Sequence, residues 1–127
     1  MSSQYTIVGR LGNDPQFSIS ERGTVVVRMS VAVEHRRKKG DEWVSDTVWH
    51  DVTCFGELAD NLASSVTKGD EIIATGRIEA PRSFEKKDGT TGVSLPMVAT
   101  DVGFSLRWAG LTVQSNNKSN KTAEEAF

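Results

Sequence analysis

The sequence predicts an all-β protein: five strands closed into a small Greek-key barrel, with one helix between strands 3 and 4. Three observations predict it. Apolar and polar residues alternate over long stretches, the pattern of a strand with one wet face. Residues 24–34 are the clearest case, with Val25, Val27, Met29, Val31 and Val33 lining one face. A single stretch carries helical spacing, through Leu58, Ala59, Leu62, Ala63 and Val66. Turns built on glycine, asparagine and proline punctuate the remainder.

The bulk properties set limits on function. A chain of 127 residues has room for one modest core. Charged residues make up 25% and hydrophobic residues 37%, as in an ordinary soluble globular protein. The net charge of −2 argues against a uniformly basic nucleic-acid binder, so the placement of charge matters more than its sum. Cys54 is the single cysteine, which rules out an intramolecular disulfide and, with two histidines, gives no structural zinc pattern. No metal or cofactor is expected. The N-terminal residues lack a signal-peptide pattern and no apolar run reaches bilayer length, so a cytoplasmic protein is expected.

Residues 5–11 read as the first strand, with Tyr5 and Ile7 on one side and Thr6, Val8 and Arg10 on the other. Gly12, Asn13, Asp14 and Pro15 form a turn. Residues 16–20 read as a continuation of the first strand after a kink. Residues 24–34 are the second strand. Residues 35–42 follow as a polar loop holding Arg36, Arg37, Lys38 and Lys39 in succession. The third strand runs from Thr47 to Phe55, with His50, Val52 and Cys54 on one face and Trp49, Asp51, Thr53 and Phe55 on the other. Gly56 breaks it, and the helix occupies residues 57–66. Gly69 suits a left-handed C-terminal cap. Residues 71–78 are the fourth strand, where Gly76 marks a bulge or tight curvature. Residues 79–92 form a second polar excursion with Arg82, Phe84, Lys86 and Lys87. Residues 93–104 are the fifth strand, with a change of phase around Pro96. Residues 111–113 could add a short strand, and residues 114–127 read as a flexible tail beyond a 1–113 domain. This order of elements is that of the OB-fold, and the loops at its binding periphery include both basic stretches.

No catalytic constellation survives inspection. His50 and Asp51 are strand neighbours and so point to opposite faces, and no nucleophile elbow or phosphate-binding loop is present. The positive signal is aromatic rings interleaved with basic residues. Single-stranded nucleic acid exposes base faces that stack on such rings for about 1–3 kcal/mol each, and nearby Lys and Arg neutralise phosphates. Trp49, Phe55 and Phe84 are the candidate stacking residues, with Trp43 as a fourth. Each has a packing alternative. For Trp49 it is a core tryptophan, evenly balanced with stacking. For Phe55 it is a plug at the barrel bottom, which the local pattern favours. For Phe84 stacking leads, because nothing around it supports burial. Arg36, Arg37, Lys38, Lys39, Arg82, Lys86 and Lys87 are the candidate phosphate contacts, although the loop run alone reads more simply as a solvated tip. Trp108 is assigned to the barrel edge or a subunit contact, and Cys54 to an inert core thiol.

The chain resembles bacterial-type single-stranded DNA-binding proteins over nearly all of its length to about Val113. The resemblance rests on Ile7-Val8-Gly9-Arg10-Leu11-Gly12-Asn13-Asp14-Pro15, on Trp49-His50 followed by Phe55-Gly56-Glu57-Leu58-Ala59, and on Lys68-Gly69-Asp70 leading into Gly76-Arg77-Ile78. Asp101-Val102-Gly103-Phe104-Ser105-Leu106-Arg107-Trp108-Ala109 is similar to the actinobacterial branch. The resemblance implies a homotetramer that wraps single-stranded DNA without sequence preference in replication, recombination and repair, associated with the nucleoid. It implies stacking at Trp49, Phe55 and Phe84. The family's further stacking position falls near His35, where an imidazole offers a smaller ring. His50 matches a position that supports subunit association, and Leu111 to Val113 matches an added strand that clamps a neighbouring subunit. The family's acidic C-terminal tip docks replication and repair proteins. This tail is short, and only Glu124-Glu125-Ala126-Phe127 resembles that tip. Two other readings remain: an OB-fold adaptor of a replication or primosome complex that touches DNA incidentally, and an oligosaccharide binder, against which the basic loops argue.

Overall fold

The computed structural model describes residues 3–114. Its elements are β1 (Gln4–Leu11), β2 (Gln16–Ile19), β3 (Val25–Lys39), β4 (Glu42–Phe55), α1 (Gly56–Ser65), β5 (Glu71–Ile78), β6 (Arg82–Glu85) and β7 (Thr91–Phe104). Strands β1, β5, β7, β4 and β3 lie side by side in that order, and β3 pairs back onto β1 to close the barrel. Only the β4–β7 pairing is parallel among those described. The expected five-stranded barrel with one helix after its third barrel strand is therefore borne out. Two short strands are added at its margins: β2 on β3, and β6 on β7.

The alternation read from the sequence is what fills the barrel. Val27, Val31, Val52, Cys54, Ile72 and Ala74 are completely buried, and Met29 and Met97 nearly so. Burying each of the valines contributes about 1.5–3 kcal/mol. Helix α1 sets Ala59 and Leu62 against this core, and Val66 follows them inward. Gly76 sits at a register shift between β5 and β7. A side chain there would run into the Val98 carbonyl, so the barrel turns this corner on a glycine. The phase change in β7 is also present: Ser94 and Pro96 are buried on the outward side of the sheet, whereas Met97 and Ala99 are buried in the core.

The structure departs from the expected boundaries in four places. Residues 16–20 do not prolong β1; β2 pairs with β3 from Gln16↔Arg28 to Ile19↔Val25. The expected loop over residues 35–42 is a strand pair. β3 and β4 stay in register out to Lys39↔Glu42, leaving Gly40 and Asp41 as the turn. Gly69 does take a left-handed φ of 92°, but in the turn before β5, since Val66 caps the helix in an extended conformation. Residues 111–113 form no strand in the chain described. Of the expected tail at 114–127, all but Gln114 lies outside the described residues.

Candidate nucleic-acid interface

The outward face of β4 forms the floor of the site. Alternation turns His50, Val52 and Cys54 inward, at 5%, 0% and 0% exposure, and leaves Trp49 and Phe55 40% and 50% exposed. Trp49 lies in a row of paired residues that crosses four neighbouring strands. It faces Ala32 on β3 and Ser94 on β7; beyond them stand Arg10 on β1 and Arg82 on β6. At the spacing of paired strands, each guanidinium-bearing backbone position is about 10 Å from that of Trp49. Arg82 shares a concavity with the ring, a cation beside a base platform, whereas the Arg10 guanidinium turns to the Gly69 carbonyl and the Trp108 ring.

Phe84 comes to the same place from β6. Trp49, Phe84, Arg82 and Lys86 share one concavity of about 760 Å³, floored by Ser30, Asp51 and Ser94. The hairpin that carries Phe84 is held by its own turn. Asp88 Oδ1 accepts hydrogen bonds from the Thr90 N–H at 3.0 Å and from its hydroxyl at 2.6 Å. Those bonds, the hydroxyl's first, hold the Asp88 carboxyl below its ordinary range. A second concavity, of about 270 Å³, shares Ser30, Asp51 and Arg82 with the first and extends past Arg28 and Thr53 to Gln16. Together they make one groove along the outside of β4, running from Trp49 and Phe84 towards the Phe55 end. Asp51, in the middle of the groove, accepts a hydrogen bond from the Ser94 hydroxyl at 2.8 Å.

The structure brings together some of the expected residues and separates others. Trp49, Phe84, Arg82 and Lys86 converge. Phe55 is half exposed at the end of β4, so it does not plug the barrel, and it stands outside both concavities. Lys87 is exposed in the β6–β7 turn and lines neither concavity. Trp43 is 68% exposed and paired with Lys38 far out on the β3–β4 arm. Pairing also splits the basic run. Arg36 and Lys38 share the arm face that continues from Ala32 and Trp49, whereas Arg37 and Lys39 lie on the other face. Arg37 is moreover engaged with Asp46 at 3.2 Å. His35 is exposed.

Two cations on the groove side escaped the sequence reading. Arg28 lines the groove, and Arg10, two strands from Trp49 in the same row, donates to the Gly69 carbonyl at 2.9 Å and lies 5.9 Å from the Trp108 ring centroid. Their signal was the alternation itself, since both share the outward phase of their strands. The candidate interface residues divide as well. His50 is buried within its own chain, with Nδ1 lacking a hydrogen-bond partner, and burial holds its imidazole below the ordinary histidine range. Leu111 and Val113 are 51% and 79% exposed. Cys54 is enclosed in the core and its thiol is pushed up to about 11 by burial, which keeps it protonated and inert. Among the described residues no helix is long and apolar enough to cross a membrane.

Comparison with known proteins meets this geometry from outside. The model of the single-strand binding protein family matches residues 2–105. The single-stranded DNA-binding protein of Paenarthrobacter nicotinovorans is 32% identical over 117 residues, which span 90% of this chain and 68% of that protein. The single-stranded DNA-binding protein of Mycobacterium leprae is also 32% identical, over 90% of this chain and 69% of its own length. Among solved structures, a small single-stranded DNA-binding protein from Streptomyces coelicolor superposes with a TM-score of 0.69 at 25% identity, covering 83% of this chain and 95% of that one. All three organisms are actinobacteria, in keeping with the resemblance of residues 101–109. With its barrel, its groove and a family match over most of its length, this chain belongs to the single-strand binding protein family.

Proposed function

We propose that this protein binds single-stranded DNA without base-sequence preference, without catalysing a reaction, and that residues 1–113 carry the activity. The observation that carries the reading is the convergence of Trp49 and Phe84, both partly exposed, with Arg82 and Lys86 in one groove. Every base has a face to stack, so rings of this kind bind all sequences alike. The strand would run along the outside of β4. Its bases would stack on Trp49 and Phe84, with Phe55 and Trp43 as flanking platforms at the two ends. Its phosphates would lie near Arg36, Lys38, Arg82 and Lys86, with Arg10 and Arg28 added to that set and Arg37, Lys39 and Lys87 further from the path.

The protein would act as a homotetramer in the cytoplasm, covering single strands exposed in replication, recombination and repair. Exposed Leu111 and Val113 are available for contact with a neighbouring subunit, and His50 would support subunit association from within the barrel. Adding oligo-dT to the protein tests the reading directly. Binding should quench tryptophan fluorescence and persist with mixed-sequence oligomers. A chain that binds only weakly, on the order of micromolar or worse, would instead fit an adaptor with incidental DNA contact. Light scattering, with and without DNA, tests the tetramer.

A further inference from the structure

Two glycines lie directly beneath the two groove rings. A Cβ placed on Gly12 would fall 2.5 Å from Cζ3 and 2.7 Å from Cη2 of Trp49, with the nearest backbone atom, the Ser30 carbonyl oxygen, at 3.7 Å. A Cβ placed on Gly92 would fall 2.5 Å from Cζ and 2.8 Å from Cε2 of Phe84, and 2.9 Å from Cε of Lys86. Neither glycine has a positive φ, so backbone conformation does not call for glycine at either site. What calls for it is the ring lying against the backbone.

We propose that Gly12 and Gly92 are positioning residues for DNA binding: each is the seat on which a groove ring rests. The proposal rests on the stacking reading and deepens it. A ring with one side laid against backbone keeps the other side open for a base. It is also fixed before the base arrives, so less side-chain freedom is lost on binding.

At Gly12 the seat cannot give way. The Gly12 N–H donates to the Ser30 carbonyl at 2.8 Å, and the Ser30 N–H donates to Asn13 Oδ1 at 3.1 Å. The residue before it is held too: Leu11 N–H donates to the Asp70 carbonyl at 3.0 Å, and the Leu11 carbonyl accepts from Gly69 N–H at 2.8 Å. Asp14 Oδ1 accepts from the Lys68 N–H at 2.8 Å, tying the far side of the turn to the segment after α1. With the backbone fastened on both sides, a methyl group at position 12 must displace the indole. At Gly92 the seat is the partner residue itself, since Phe84 and Gly92 pair directly across β6 and β7. Covering a strand glycine with a cross-strand ring is a recurrent device in sheets. Here it forms one wall of the groove, and the turn glycine Gly12 under Trp49 forms the other.

The test is a double-mutant cycle for each pair, read as affinity for oligo-dT and as the midpoint of thermal unfolding. Gly12→Ala is expected to weaken binding at least about fivefold, the lower end of what one stacked base contributes. In a Trp49→Ala background the same change should have no further effect on affinity. Gly92→Ala and Phe84→Ala should behave in the same way. Should Gly12→Ala lower the unfolding midpoint sharply, adding Trp49→Ala should restore it, because the ring is what the methyl meets. Equal losses from Gly12→Ala with and without Trp49 would overturn the proposal, as would wild-type affinity of Gly12→Ala or failure of Trp49→Ala to restore its stability. Wild-type affinity of Trp49→Ala itself is a different result: it removes the stacking reading at that ring, and the seat with it.

Discussion

Along β4 one residue step separates two environments. His50, Val52 and Cys54 face inward and are at most 5% exposed, while Trp49 and Phe55, on the opposite face, are 40% and 50% exposed. Both faces carry large side chains, so hydrophobicity alone does not distinguish them. What differs is the neighbourhood. The inward residues meet β3 and β7 residues that are themselves apolar, such as Val27, Met29 and Met97. Outward, Trp49 meets Ala32 and Ser94 with Arg82 in the same concavity, and Phe55 pairs with Val26 with Arg28 two residues along β3. A tryptophan held at a sheet surface, in one concavity with a guanidinium group, is poorly placed as core and well placed as a platform for a base.

Substitutions on the two faces should therefore fail in different ways. The largest effect is expected inside. Val52→Asp buries a charge without a partner and should cost about 4 kcal/mol or more of stability, measurable by urea unfolding; a mild loss would mean that β4 is not the barrel's core strand. Outside, Trp49→Ala and Phe84→Ala should each weaken oligo-dT binding by about 1–3 kcal/mol, across all sequences alike, while circular dichroism and the unfolding midpoint stay near wild type. Loss of fold in Trp49→Ala would move that ring from the site to the core.

The inner face also predicts a dependence on pH. Burial, the main cause, depresses the folded-state pKa of His50 below its unfolded value; a backbone hydrogen bond with Val48 and the Asp51 charge oppose it, and the His35 charge adds to it. As pH falls, the unfolded chain takes up a proton first. The stability owed to a neutral His50 is therefore whole above about pH 6.5 and declines below it. Thermal unfolding at pH 7.5 and pH 5.5 should show a larger drop for wild type than for His50→Leu; equal drops would mean that His50 is solvated after all.

The smallest effects are expected on the arm. Neutralising Lys38, on the Trp49 face, should lower the salt slope of binding by about 0.7. Arg37→Gln should change it less, because Arg37 lies on the other face and already engages Asp46. Breaking that exposed pair should move stability by less than about 1 kcal/mol. Equal slopes for the two variants would mean that DNA does not follow the Trp49 face of the arm.

These contrasts explain what could be read from the sequence and what could not. The inner half of the barrel was legible because burial imposes a period of two: Val27, Met29 and Val31, then His50, Val52 and Cys54, announce their faces. The helix was legible for the same reason at its own period. The arm was not. From His35 to Lys39 both faces are exposed, so no burial writes alternation into the residues, and only pairing with residues 42–46 shows that they are strand. β6 was hidden likewise, since all four of its residues are exposed. At the site, Trp49 could be named but not placed, because a lone tryptophan among β-formers fits either face. Arg10 and Arg28 looked like ordinary wet-face residues, and their position beside the groove follows from closing the barrel. The seats at Gly12 and Gly92 depend on contacts with rings 37 and 8 positions away in the chain. No local pattern carries that information.

Stacking of a base on Trp49 is what the whole groove depends on. Its most direct measurement is the fluorescence of that ring alone, in a variant with Trp43 and Trp108 replaced by phenylalanine. Oligo-dT should quench this signal in step with binding, and added salt should reverse both together. Binding of oligo-dT with the Trp49 signal unchanged would contradict it.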